Sequence, residues 1–263
     1  MRKKILLIIT LIGLALFLSG CLDVNQDITN DTKEGVWEEY FVWPLVSLIE
    51  FVATDIFNHG YGAAIIIVTI LLRTLILPLN VKQLKSSQAM QLLQPEIQKL
   101  REKYSSKDQQ TQQKLQQETM ALFQKHGVNP LAGCLPIVAQ MPILIAFYHA
   151  IVRWEPIRDY GFLWFQLGES GIANNLLLAL ITMGTTFLQQ KLMMAGQPAS
   201  VNPQMQIMLY LLPLMIGGFA LFFPAALALY WIVGNIFMIA QTIFIRRPLM
   251  KQFEENNNGG AKK

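Results

Sequence analysis

Five stretches of the chain, residues 62–81, 134–152, 174–194, 206–222 and 225–245, are apolar over close to the length a helix needs to cross a bilayer. In lipid, every backbone amide and carbonyl must be satisfied inside the segment itself, so such stretches fold as helices. Composition agrees: at 53% hydrophobic and 14% charged residues, the chain has too little polar surface for an ordinary soluble domain. The expected fold is an all-α polytopic membrane protein. Its fourth and fifth spans are separated only by Phe223 and Pro224, so they form an antiparallel hairpin. An odd number of spans puts the two ends of the chain on opposite sides.

The first 20 residues carry Arg2, Lys3 and Lys4, an apolar run over 5–18, then Ser19 and Gly20 before Cys21. This is the pattern of a bacterial lipoprotein signal peptide, with Cys21 as the lipidated residue. An uncleaved first span is the weaker reading, because residues 5–18 would cover only about 21 Å of helix. Residues 21–61 read as an extracytoplasmic segment: a polar, flexible tether to Thr32, then an amphipathic helix over 36–57 lying in the membrane interface, rich in Trp, Tyr and Phe interspersed with Glu38, Glu39 and Glu50. Cys134, the only other cysteine, lies in an apolar run, so neither a disulfide nor redox chemistry is expected.

Basic residues orient the spans. Lys82, Lys85, Lys99, Arg101, Lys103, Lys107, Lys114 and Lys125 lie between the first two spans, and Arg246, Arg247, Lys251, Lys262 and Lys263 follow the last, so both regions are assigned to the cytoplasm. Acidic residues dominate before residue 62, as expected outside, where the lipoprotein signal also puts the N-terminus. The loop over 153–173 then falls outside, with Trp154, Phe162, Trp164 and Phe165 suited to an interfacial belt. Residues 82–133 are too long for a simple connection. Met90, Leu93, Ile97, Leu100 and Tyr104 recur at spacings of three and four, and Leu115, Thr119 and Leu122 continue a weaker stripe, which predicts a cytoplasmic helical hairpin. Residues 246–263 form a short basic tail.

Within the first span, Arg73 sits about 12 Å along a helix from the cytoplasmic end, further than an arginine easily reaches by snorkelling. A charge at that depth costs about 2.5 to 3.5 kcal/mol on insertion scales unless it is solvated or paired. No Asp or Glu occurs between Asp55 and Glu96, between Glu118 and Glu155, or between Glu169 and Glu254, so no span supplies a carboxylate. Neutral polar groups do occur: Thr69, Gln140, Thr185, Thr186, Gln189, Gln190, Tyr230, Trp231, Asn235 and Gln241. Taken singly, each is most simply an interhelical hydrogen bond. For Arg73 the bland alternative is a backbone carbonyl, such as that of Thr74 freed by Pro78, or a lipid phosphate. Converging polar faces would instead make a wet, positively charged cavity, and an unpaired arginine within it suits an acidic partner that arrives and leaves.

Other classes fit less well. A proton-coupled transporter needs groups that titrate deep in the membrane, and arginine does not. An intramembrane enzyme needs a nucleophile with a base or a metal set, whereas His59, His126 and His149 are scattered. Nothing requires a metal or organic cofactor, and the +4 net charge, confined to a few segments, is weak evidence for nucleic acid.

The strings VTILLRTLILPL, LQPEIQKLREKY, QETMALFQKHGVNPLAGCLPIVAQMPILIAFYHAI and FPAALALYWIVGNIFMIAQ closely resemble the YidC/Oxa/Alb family of membrane protein insertases over residues 37–245. The lipoprotein start resembles Gram-positive members, and the short tail resembles the sporulation-linked subgroup of bacilli. The resemblance implies five helices around a hydrophilic groove, open to the cytoplasm and to lipid and closed outside. It carries Arg73, Thr69, Gln190 and Trp231 over as groove or substrate-path positions, with Gln189 as the alternative to Gln190. Gln140 and Asn235 join them from the residue reading. The implied partners are nascent membrane proteins and lipid, with the Sec translocon, the ribosome and the signal recognition particle receptor as candidate partners and no direct specific nucleic-acid binding. The competing function is a membrane chaperone or assembly scaffold that only shields partners' polar residues.

Overall fold

The computed structural model describes residues 26–33, 35–106, 108–128, 135–195 and 203–251. The expected signal peptide 1–20, the expected lipidation site Cys21, Cys134 and the tail beyond Lys251 lie outside the described residues.

The interfacial segment is helical from 35 to 56: a turn at Gly35–Trp37, a π-helical turn at Glu38–Val42, helix α1 at Trp43–Phe51 and a second π-helical turn at Val52–Ile56. Val42, Val46, Ile49 and Ala53 are fully buried, while Tyr40, Phe41, Phe51 and Ile56 point outward. An apolar outer face beside a packed inner one is what a helix at a membrane interface requires.

Helix α2 spans Tyr61–Leu92, α3 Gln94–Lys103 and α4 Gln109–Lys125. The expected end of the first span at 81 is not a helix end. Residues 82–92 contain neither Gly nor Pro, so the helix runs on into the first arm of the hairpin and breaks at Leu93, two residues before Pro95. Met90 therefore belongs to α2, while Leu93 and Ile97 supply the buried positions of the hairpin. Asp108 caps α4, its side chain accepting from the Thr111 amide at 2.9 Å.

Helix α5 is Leu135–Arg153, α6 Glu155–Arg158, α7 Ile172–Met194, α8 Pro203–Phe222 and α9 Ala225–Gln241, the last continuing through a π-helical turn at Thr242–Arg246. Strands β1 Gly161–Phe162 and β2 Phe165–Gln166 pair antiparallel between α6 and α7. Among the described residues, three helical stretches are long and apolar enough to cross a membrane: Tyr61–Leu84, Ile172–Met194 and Ala225–Lys251. The other two expected runs form helices of 19 and 20 residues. The protein is a multi-pass helical membrane protein. Helix α7 lies between α8 and α9, and α9 in turn packs along α2. Gly217 lets α8 approach closely, since a Cβ there would lie 3.0 Å from Met183 Cβ and 3.3 Å from the Ala179 carbonyl. The outward face of α8, including Ile207, Tyr210, Leu211, Leu214 and Phe222, is left to lipid.

The end of the bundle expected to face outside differs from the expectation in two ways. Residues 26–32 are not a free tether: Ile28 is fully buried, its amide donates to the Arg153 carbonyl at 2.7 Å, and Thr29 and Thr32 close a turn on each other. One apolar side chain, Ile28, gives this otherwise polar segment a reason to dock. Trp154 and Phe165 are likewise buried in the core rather than arrayed in a belt, with Tyr61 edge-on to Trp154 at 5.7 Å and to Tyr160 at 5.4 Å. Gly62 makes this cap possible, because a Cβ there would fall 2.2 Å from the Phe162 ring. Ile157 and Leu167 complete the cover, and the amides of Ala225 and Ala226 donate to the carbonyls of Glu169 and Leu167, both at 2.9 Å.

Candidate functional site

Arg73 projects from α2 toward α9. Its guanidinium carbon stands 5.7 Å from the centroid of the Tyr230 ring, within cation–π range. Gly234, one turn further along α9, faces the same group: a Cβ there would lie 2.7 Å from Arg73 Nη2 and 3.3 Å from Nε. Arg73 Nε is buried without a hydrogen-bond partner, and among the described residues Arg73 makes no ion pair. The Thr74 hydroxyl donates to Ile70 O at 2.8 Å.

Tyr230 is itself anchored. It is 2% exposed, its ring centroid lies 4.6 Å from that of Phe147, and its hydroxyl accepts a short hydrogen bond from Gln140 Nε2 on α5. Arg73, Tyr230 and Gln140 thus link α2, α9 and α5. A second polar link joins α9 to α7, where Asn235 Nδ2 donates to Thr185 Oγ1 at 3.1 Å and Thr186 Oγ1 at 2.8 Å. Both threonines also return their hydroxyls to their own helix, to the Ile181 and Thr182 carbonyls. Because Asn235 adjoins Gly234, the two links meet on neighbouring turns of α9.

The remaining expected positions are dispersed. Thr69 is fully buried and its hydroxyl donates to Ile65 O at 2.6 Å, so that donor is engaged inside its own helix. Gln189 donates to Met193 Sδ at 2.9 Å one turn along α7, and Gln190 is half-buried beside it. Trp231 turns away from Tyr230 and lines an apolar cavity of about 260 Å³ with Leu144, Tyr148, His149, Phe219 and Phe223, between α5, α8 and α9. Gly234 escaped sequence reasoning because a glycine carries no polar signal; its i+4 spacing from Tyr230 is what could have found it.

Each end of the bundle holds a buried arginine. Arg246, expected in the tail, is 4% exposed and donates through Nη1 to the Met193 carbonyl in the last turn of α7. Carbonyls there have no partner within the helix and carry the negative end of its dipole, which draws a cation back into the bundle. At the opposite end, Arg153 bonds Glu38 through Nη1 and the Gln26 carbonyl through Nε at 2.8 Å. Nearby, hydrogen bonds from Arg158 to Asp27 and Asp159 hold its guanidinium above its ordinary pKa. Among the described residues, no cluster of His, Cys, Asp and Glu could hold a metal ion.

A family model described as 60Kd inner membrane protein matches residues 52–253. The membrane protein insertase MisCA of Bacillus subtilis (strain 168) is 57% identical over 263 residues, covering 100% of this chain and 99% of that protein. The membrane protein insertase YidC of Oceanobacillus iheyensis is 57% identical over 255 residues, covering 95% and 99%. Among solved structures, an active YidC insertase crystal structure with its first transmembrane domain resolved superimposes with a TM-score of 0.61 at 27% identity, over 80% of this chain. This chain covers 47% of that one.

Proposed function

The chain belongs to the 60Kd inner membrane protein family, and from that premise we propose that it is a membrane protein insertase working through a groove centred on Arg73. The relatives' names describe insertion into membranes, not the conversion of a chemical substrate. The observation that carries the proposal is the state of Arg73: a cation well inside a membrane span, resting on an aromatic ring, with no carboxylate in any span to pair it. Such a charge is costly, and a partner that comes and goes gives it a use.

In this mechanism the short hydrophilic tail of an incoming membrane protein enters from the cytoplasm, and Arg73 attracts its carboxylates in a medium less polar than water. Gln140, Asn235, Gln189 and Gln190 supply hydrogen-bonding capacity along the polar path, and Trp231 lines the apolar side along which the adjoining hydrophobic helix slides. Burial of that helix contributes about 25 cal/mol per Å² of apolar surface. The membrane potential, positive outside, favours moving the acidic tail outward. The packed outer cap formed by Ile28, Ile157 and Leu167 supports a groove closed on that side.

The same reading puts the protein in the bacterial plasma membrane, with an N-terminus anchored outside through lipidated Cys21 and a cytoplasmic C-terminus. The hairpin of α3 and α4 receives substrate, and the Sec translocon, the ribosome and the signal recognition particle receptor are its proposed partners. The apolar cavity at Trp231 favours a second reading, a chaperone that shields partners' helices without translocating tails. Reconstitution in liposomes separates the two. Insertion of a small protein with an acidic N-terminal tail should be abolished by Arg73→Ala and retained by Arg73→Lys, and neutralising the tail should erase the difference. Equal insertion by Arg73→Ala and wild type would sink the groove mechanism.

A further inference from the structure

Resting on that reading of Arg73, we infer that Gly234 is a positioning residue: its missing side chain sets where the Arg73 guanidinium lies, and so which edge of it meets a substrate carboxylate. Glycine inside a helix costs about 1 kcal/mol relative to alanine in water, and is usually explained by an unusual backbone angle or by close packing. Gly234 is not among the positive-φ residues, so conformation is not the reason. The atoms closest to an added Cβ are all from one group, Arg73 Nη2 at 2.7 Å with Cζ and Nε at 3.3 Å. Space for the guanidinium explains the glycine.

The geometry has a direct chemical consequence. The Nε–Nη2 edge of the guanidinium lies against the bare backbone of α9, which accounts for Nε being buried with no partner. An arginine can grip a carboxylate side-on through that edge or end-on through its two terminal nitrogens. With the first edge occupied by Gly234, the end-on approach remains. Tyr230 completes the seat, and Gln140 and Phe147 hold its ring in place. An alanine at 234 pushes the guanidinium out of this seat while leaving its charge intact. A lysine at 73 has no forked second nitrogen to collide with that methyl group.

The test reconstitutes wild type, Gly234→Ala, Arg73→Lys, the double variant Gly234→Ala/Arg73→Lys and Arg73→Ala at equal incorporation. Each is assayed with an acidic-tailed substrate and with the same tail neutralised. Gly234→Ala should slow insertion of the acidic tail by roughly threefold or more, the scale of one cation–π contact, with the neutral tail unaffected. The double variant should recover most of that loss, although Arg73→Lys alone gains nothing over wild type. Wild-type behaviour of Gly234→Ala, or a loss on both tails that lysine does not relieve, would overturn the assignment. If Gly234→Ala does not fold, Gly234→Ala/Arg73→Ala decides: folding of that pair supports the seat, and its failure shows that the glycine serves something other than Arg73. Wild-type activity of Arg73→Ala instead removes the underlying reading of the arginine.

Discussion

Arg153 and Glu38 form a part-buried ion pair that joins the last turn of α5 to the segment at Glu38–Val42, and the same guanidinium holds the Gln26 carbonyl at 2.8 Å. Arg153 is 3% exposed and Glu38 15%, so the pair is largely shielded from water and its loss is felt by both elements that it joins. Arg153→Met should therefore destabilise the protein by about 1 to 3 kcal/mol. Adding Glu38→Gln to that variant should cost much less than the sum of the single changes. Thermal unfolding in detergent measures both, and strict additivity would show that the pair is not coupled.

Asn235 bridges α9 to Thr185 and Thr186 through a single amide nitrogen. Hydrogen bonds between membrane helices average about 0.6 kcal/mol. Replacing Asn235 by Ala should lower stability by about 1 kcal/mol for the two bonds together. Reversible unfolding in mixed micelles reads this, and a loss several times larger would mean that Asn235 also holds the neighbouring Gly234 seat in register.

Tyr230 contributes a ring to Arg73 and a hydroxyl to Gln140. Tyr230→Phe keeps the ring, so its insertion rate with an acidic tail should stay within about twofold of wild type, whereas Tyr230→Leu should lose roughly two- to fivefold. Equal losses in the two variants would shift the role from ring to hydroxyl.

Asp108 caps α4 from outside the membrane. Hydrogen bonds from Thr111 and Ser106 hold its carboxyl below the ordinary value of 3.8. A depressed folded pKa means that the cap's contribution is complete above the unfolded value and fades as pH falls through the lower folded one. The first turn of α4 should fray only below about pH 4, followed by the chemical shift of the Thr111 amide. Asp108→Ala should fray already at neutral pH, while Asp108→Asn should hold the cap and lose the acid transition.

Much of this architecture was readable because a bilayer leaves so few choices. The helical runs, the hairpin at Phe223 and Pro224, and the exceptional standing of Arg73 all followed from counting apolar and charged residues. Docking of residues 26–32 was not readable, since a single buried Ile28 in a polar stretch carries no periodicity. Arg246 looked like tail for a similar reason: its partner is the Met193 carbonyl, and main-chain acceptors are identical at every position. The extent of α2 past 81 was legible only as the absence of a breaker before Leu93.

The chain's own sequence determined that helices cross the membrane and that Arg73 has no acidic partner within it, because backbone groups in lipid must bond within their helix and carboxylates can simply be counted. Tertiary structure decided which neutral residues meet that arginine. The few polar residues of α9, Tyr230, Asn235 and Gln241, fall on more than one face and form no single stripe to reveal its rotation about its axis, since each residue advances the face by about 100°. Packing against α2, α5 and α7 sets that rotation. It turns Tyr230 and Gly234 to Arg73, Asn235 to the threonines of α7, and Trp231, one turn before Asn235, to the apolar cavity between α5 and α8.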